Sequence, residues 1–198
     1  MNYKPLEKYI PENSLHFIEN SLGNEKVRIK IKSARRTKLG DYKFHKKTSI
    51  HQISVDGTLK PEAFFFVLTH EIAHLFVQVA NSTRVKSHGA EWKHAFGQML
   101  RESIGAYSDE IRPYILQHSI NPKASVGADR KLHRRLFLVN ENPEKLVENL
   151  EDAQRFRIGK RIFERGQKRK IRYICKEIRT QKLYLVSGQA IVDEIISE

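Results

Sequence analysis

The sequence predicts an α+β fold, and three observations carry that expectation. Val27, Ile29 and Ile31 alternate with Arg28, Lys30 and Lys32, the period of two that half-buries a strand. Phe64 to Leu68 is apolar in every direction, which marks a central, buried helix. Past Pro143, and clearly from Phe156, the chain turns to short β-patterned stretches punctuated by Gly159, Gly166 and Gly188.

Taken in order, Leu15, Ile18 and Leu22 have the spacing of a short amphipathic helix stopped at Gly23. The strand of Val27 to Lys32 follows. Leu39 to Tyr42 reads as a turn into a second strand, and Ile50 to Val55 as a third, closed by Asp56-Gly57. Pro61 suits the first turn of a helix and Glu62 its positive end, so the central helix runs from Pro61 through Val79. Ser87 is placed to cap a further helix from His88 to about Ser103, with Phe96, Met99 and Leu100 as its apolar stripe. One or two helices are expected between Ser108 and Leu138, broken near Asn121-Pro122. In the last segment Tyr173 and Cys175 alternate with Arg172, Ile174 and Lys176. The expected division is a domain over residues 1–150 and a small basic β appendage over 151–198.

The chain has 198 residues, 39% hydrophobic and 30% charged, a balance that builds a core and argues against disorder. The densest apolar run, Ala63 to Leu68, is too short to cross a bilayer, and Met1 to Ile10 lacks the order of a secretion signal. A cytoplasmic protein without membrane attachment is therefore expected. One cysteine, Cys175, excludes an intrachain disulfide and an all-cysteine zinc site. The nine histidines are the better source of metal ligands.

Two of those histidines stand in Thr69-His70-Glu71-Ile72-Ala73-His74. Residues four apart stack on one helix face, so His70 and His74 can share a Zn²⁺ while Glu71 activates a zinc-bound water. A solvated helix face is the bland explanation. It fits poorly, because Phe65, Val67, Leu68, Ile72, Leu75 and Val77 surround the motif and burying unpartnered His and Glu among them is costly. A catalytic zinc takes a third protein ligand. Val77 and Ala80 stand where the extended metzincin pattern places Gly and His. The candidates are His88, Glu91 and His94, in the order of preference His88, then Glu91. His94 lies about 120° around a helix from His88 and is read as a solvated position.

His70-Glu71-Ile72-Ala73-His74 followed by His88-Gly89-Ala90-Glu91-Trp92 resembles the SprT-like metallopeptidase family, bacterial relatives of Spartan. Arg36 to Tyr42 and His51 to Val55 are similar to the strand region ahead of the zinc helix in bacterial members. The resemblance implies a zincin-like helix-plus-sheet domain with His70, His74 and His88 as zinc ligands and Glu71 as catalytic acid/base. It also implies a protein substrate, including proteins attached to DNA. Many bacterial members end in a zinc ribbon of Cys-x-x-Cys pairs; Cys175 alone remains here, so the appendage lacks the ribbon cysteines.

The expected function is thus zinc-dependent peptide hydrolysis. The oxyanion-stabilising group is not identified, with Tyr42, Arg35 and Arg36 as candidates from the preceding strands. Net charge is +13, an attractive field for polyanions. It concentrates in residues 26–47, with ten Lys/Arg and one acid, and in 153–172, with nine Lys/Arg and one acid. These clusters make nucleic acid a candidate partner, against the reading that they are solvated strand faces. The alternative function is a nucleic-acid-binding protein with a structural or non-catalytic zinc site, which would have no need of Glu71.

Overall fold

The computed structural model describes residues 3–33, 38–81, 85–137 and 146–196. Arg35, Arg36, Thr37, Leu138 and Pro143 lie outside these. The fold is α+β, and the chain divides into two compact units, Met1–Phe137 and Leu138–Glu198.

In the first unit, helix α1 (Leu15–Leu22) ends at Gly23 with φ +53°. Strands β1 (Val27–Lys32), β2 (Gly40–His45) and β3 (Ile50–Asp56) form one sheet in the order β1-β3-β2. β1 runs parallel to β3 with Val27 opposite His51, and β2 runs antiparallel to it with Tyr42 opposite Ile53 and Phe44 opposite His51. Tyr42, Phe44, His51 and Ile53 therefore share one face.

Helix α2 (Pro61–Ala80) packs on β2 and β3. Its length and mean hydropathy of 1.5 would suffice to span a bilayer, further than the short run Ala63 to Leu68 suggested, but 67% of the apolar window is buried inside the protein. Phe64, Phe65, Leu68 and Ile72 have no more than trace exposure; burying each such side chain contributes about 1.5–3 kcal/mol. This helix is the axis of the unit's core. Helix α3 (Ala90–Glu102) lies against α2, α4 (Arg112–Ile120) against α3, and α5 (Arg130–Phe137) touches α2 and α4. The start of α3 differs from expectation. Gly89 is the N-cap, no side chain caps the helix, and His88 sits ahead of it with φ +58°. A residue in that left-handed conformation cannot begin a right-handed helix, so Ser87 has no capping role.

The second unit is a five-stranded sheet of β4 (Arg155–Ile158), β5 (Arg161–Arg169), β6 (Arg172–Glu177), β7 (Leu183–Ser187) and β8 (Glu194–Ile196). Its order is β7-β6-β5-β4-β8, and all pairs are antiparallel. Gly159 turns β4 into β5 with φ +60°. Gly166 does not break a strand, contrary to its expected role. It lies within β5 at the irregularity between Arg165 and Lys168, where a Cβ would meet Ile174 O at 2.5 Å. Val147 and Leu150 share a core with Phe156, Phe163, Tyr173, Cys175 and Val192. That packing draws the division of the chain ahead of residue 150, because those two side chains find their apolar partners in the second sheet.

Candidate metal centre

Helix α2 presents His70 and His74 one turn apart, and the left-handed backbone at His88 turns its ring back toward them. A non-glycine residue there costs about 1–2 kcal/mol, a strain typical of functional sites. The turn is closed by the Gly89 N–H donating to Lys86 O at 2.9 Å. His74 Nε2 then lies 3.0 Å from His88 Nε2, and His88 Nε2 lies 3.2 Å from His70 Nε2. The ligand atoms of all three fall within 4.8 Å of one another.

Those separations suit a shared cation. Two nitrogens bound tetrahedrally at about 2.0–2.1 Å to one ion stand roughly 3.3 Å apart. The three rings cannot all satisfy one another instead: His88 Nε2 has either one N–H or one lone pair, so it can pair with His70 or His74 but not both. Burial, with smaller contributions from His74, His88 and His118, pushes His70 down to about 3. Burial and the neighbouring His88 push His74 down to about 4, and burial lowers His88. All three are neutral at pH 7, so their lone pairs are free to coordinate. An all-imidazole donor set fits zinc and other borderline divalent ions.

Trp92 supports the cluster. It is buried, its ring centroid lies 4.6 Å from those of His70 and His88 and 5.5 Å from that of His74, and its indole N–H points at His70 O at 3.4 Å. Trp92 ends the stretch from His88 that carries the family resemblance, but no role at the site was legible for it in the sequence. Glu91 and His94 are exposed and stand outside the cluster. Of the three candidates for a third ligand, the structure brings His88 alone to His70 and His74.

Glu71 is buried and opens onto the same cleft as the three histidines, a space of about 510 Å³. One wall of the cleft is the start of β2, Lys38 to Tyr42, and another is Ala124 to Val126. Gly40 sets the gap between β2 and α2, for a Cβ there would lie 2.5 Å from Glu71 Oε1 and 2.7 Å from Val67 Cγ1. The second wall is pinned by His118, whose Nδ1 meets Asp129 Oδ2 at 2.8 Å while its Nε2 accepts the Lys123 N–H at 3.4 Å. Asp129 also accepts the Leu132 N–H at the start of α5. A lone histidine in an unremarkable helix gives no sequence signal for this role. Tyr42, the one described member of the three candidates for oxyanion stabilisation, lines the cleft with its ring nearly parallel to His74 at 6.1 Å.

The fold and the cluster define an α+β protein with a three-histidine metal-binding centre, two histidines on the buried helix α2 and the third in the turn ahead of α3. The SprT-like family model matches residues 6–110, which contain β1 to β3, α2, His88 and α3. The chain belongs to the SprT-like family, a family associated with metallopeptidase-like domains. Comparison with curated proteins and with solved structures found no match. His118 and Ala124 to Val126 lie past the matched residues, so this wall of the cleft is built from outside the segment that carries the family likeness.

Proposed function

We propose that the protein is a zinc-dependent endopeptidase of zincin-like design, with His70, His74 and His88 as the metal ligands and Glu71 as the general base. The observation that carries this reading is the convergence of three neutral imidazoles beside a buried carboxylate in an open cleft. A structural zinc site is closed by four protein ligands, whereas a catalytic one has three and an open position.

When bound, the metal supplies a Lewis acid that polarises a carbonyl and brings the pKa of water toward about 7. The histidines hold their lone pairs toward one point because burial keeps them neutral. Glu71 takes a proton at its carboxylate from the attacking water and delivers it to the leaving amine nitrogen. Gly40 leaves the room that Glu71 needs beside β2.

The test is Glu71→Gln, with metal content by elemental analysis and cleavage of an unstructured protein such as casein measured together. Retained zinc with peptide cleavage lost supports the reading. Retained zinc with undiminished cleavage removes Glu71 from the mechanism.

A nucleic-acid partner is favoured by one feature of the second unit. Arg155, Arg157, Arg161 and Arg165 are engaged by Glu164, Glu194, Glu177 and Asp152. Among the described residues, no ion pair holds Lys168, Arg169, Lys170 or Arg172, which gather at the β5–β6 turn. Close together in sequence, these four cations can offer their charge to phosphates. Single-stranded DNA binding should weaken with salt, and each of the four replaced by Gln should reduce the slope of log K against log salt by about 1. Salt-insensitive binding would remove this partner. The same assay, run with and without DNA during proteolysis, tests whether DNA-attached proteins are the substrates.

A further inference from the structure

A second set of polar groups meets the cleft beside the histidine cluster. Tyr42 Oη lies 2.8 Å from His51 Nδ1, and His51 Nε2 lies 3.4 Å from Glu25 Oε2. The chain crosses the sheet, from Glu25 ahead of β1, through His51 on β3, to Tyr42 on the edge strand β2. His51 is only 4% exposed and stacks on Phe44 at 4.6 Å, so its orientation is fixed by packing. Tyr42 is the member that reaches the cleft, against His74.

The proton positions follow from the partners. Burial lowers the His51 pKa against the opposing influence of Glu25, so the ring is neutral near pH 7 and carries one N–H. The carboxylate of Glu25 only accepts, which places that hydrogen on Nε2. His51 Nδ1 is then a lone pair, and the partner 2.8 Å away must donate to it. The Tyr42 hydroxyl therefore spends its proton on His51, and its oxygen keeps a lone pair for a second, donating partner. A phenol in a hydrolase cleft invites the role of oxyanion donor, but this arrangement gives it the opposite polarity.

We propose that Tyr42 accepts a hydrogen bond from a backbone N–H of the bound polypeptide, and that His51 is its positioning residue. The inference rests on the peptidase reading for its substrate class and adds to it the group that reads the substrate backbone. Removing the acceptor strands a peptide N–H in a half-buried cleft, a loss that falls mainly on binding.

The experiment has two arms, neither of which reads turnover. Long-range proton–nitrogen correlation spectra of the full chain assign the His51 tautomer. Nε2–H is expected, and an Nδ1–H tautomer overturns the proposal. The second arm uses one unstructured, fluorescently labelled decapeptide and a series in which each backbone N–H is singly replaced by an ester oxygen. Binding is measured by anisotropy to the zinc-loaded Glu71→Gln protein and to Glu71→Gln with Tyr42→Phe. One ester position should weaken binding to the first about fivefold and leave binding to the second unchanged. His51→Asn, which keeps an acceptor near the Nδ1 position, should retain that discrimination, and His51→Leu should lose it. Equal ester penalties with Tyr and Phe, or no binding of any peptide at millimolar concentration, overturn the proposal. Cleavage of the all-amide peptide by the wild-type protein is read separately. Its absence would sink the peptidase reading and leave the binding result to decide on Tyr42.

Discussion

Gly40 and Glu71 approach so closely that a single methyl group at position 40 would stand 2.5 Å from the carboxylate oxygen Oε1. The edge strand and the central helix thus meet at the proposed general base, and the missing side chain makes their contact possible. Gly40→Ala should displace the carboxylate or push β2 outward. Overpacking of this kind costs about 1–3 kcal/mol of stability, measurable by denaturant unfolding. Peptidase activity should fall roughly 10- to 100-fold while zinc stoichiometry stays at that of the wild type, because the histidines are untouched. Unaltered activity and stability would show that the strand has slack.

Metal removal should destabilise the first unit. A ligand that binds only the folded state adds stability by mass action, about 2.7 kcal/mol at a hundredfold excess over Kd. Chelation should therefore lower the Tm of the wild type. His88→Ala should abolish most of that difference, since one of the three converging nitrogens is gone. A chelator effect of equal size in the variant would take His88 out of the ligand set.

Trp92 provides a spectroscopic readout, because the chain has a single tryptophan and its ring lies within 4.6–5.5 Å of all three histidine rings. Cobalt(II) titrated into metal-free protein should quench its fluorescence with one-site saturation. The quenching should vanish in His70→Ala. Trp92→Ala should cost about 3–5 kcal/mol from the cavity it leaves.

The metal-free protein should also have a defined acid response. His70 and His74 titrate near 3 and 4 in the folded state, against 6.5 for the ordinary group. The unfolded chain therefore binds more protons than the folded one between those limits. The stability present above pH 6.5 is lost as the pH falls toward 4 and then 3. Chelated wild type should show a steeper loss of denaturant midpoint between pH 7 and pH 4.5 than a His70→Phe/His74→Phe variant. Parallel profiles would mean that these two rings do not govern the acid limb.

Much of the first unit was legible in the sequence. Alternation in Val27 to Lys32, the stop at Gly23 and the apolar run on α2 are local signals, and each gave the element observed. The α3 start was misjudged because Ser87 has the chemistry of a cap, while the backbone at His88 turns left-handed to aim its ring. That preference is set by neighbours distant in sequence. The boundary lies ahead of the expected residue 150 for a related reason: Val147 and Leu150 look like the end of one domain in composition, but their apolar partners are Phe156, Phe163 and Val192.

By itself, the sequence determined the family, the helix that carries His70, Glu71 and His74, and His88 as the preferred third ligand ahead of Glu91, because helical spacing and motif order are written along the chain. Tertiary structure alone brought the His88 ring to the pair while leaving Glu91 outside, made Trp92 and Gly40 the frame of the site, and paired the Tyr42 hydroxyl with His51. The physical reason is range. Periodicity and capping act over a few residues, whereas converging lone pairs, close backbone approach and tautomer choice arise only when distant segments are packed to within about 3 Å of each other.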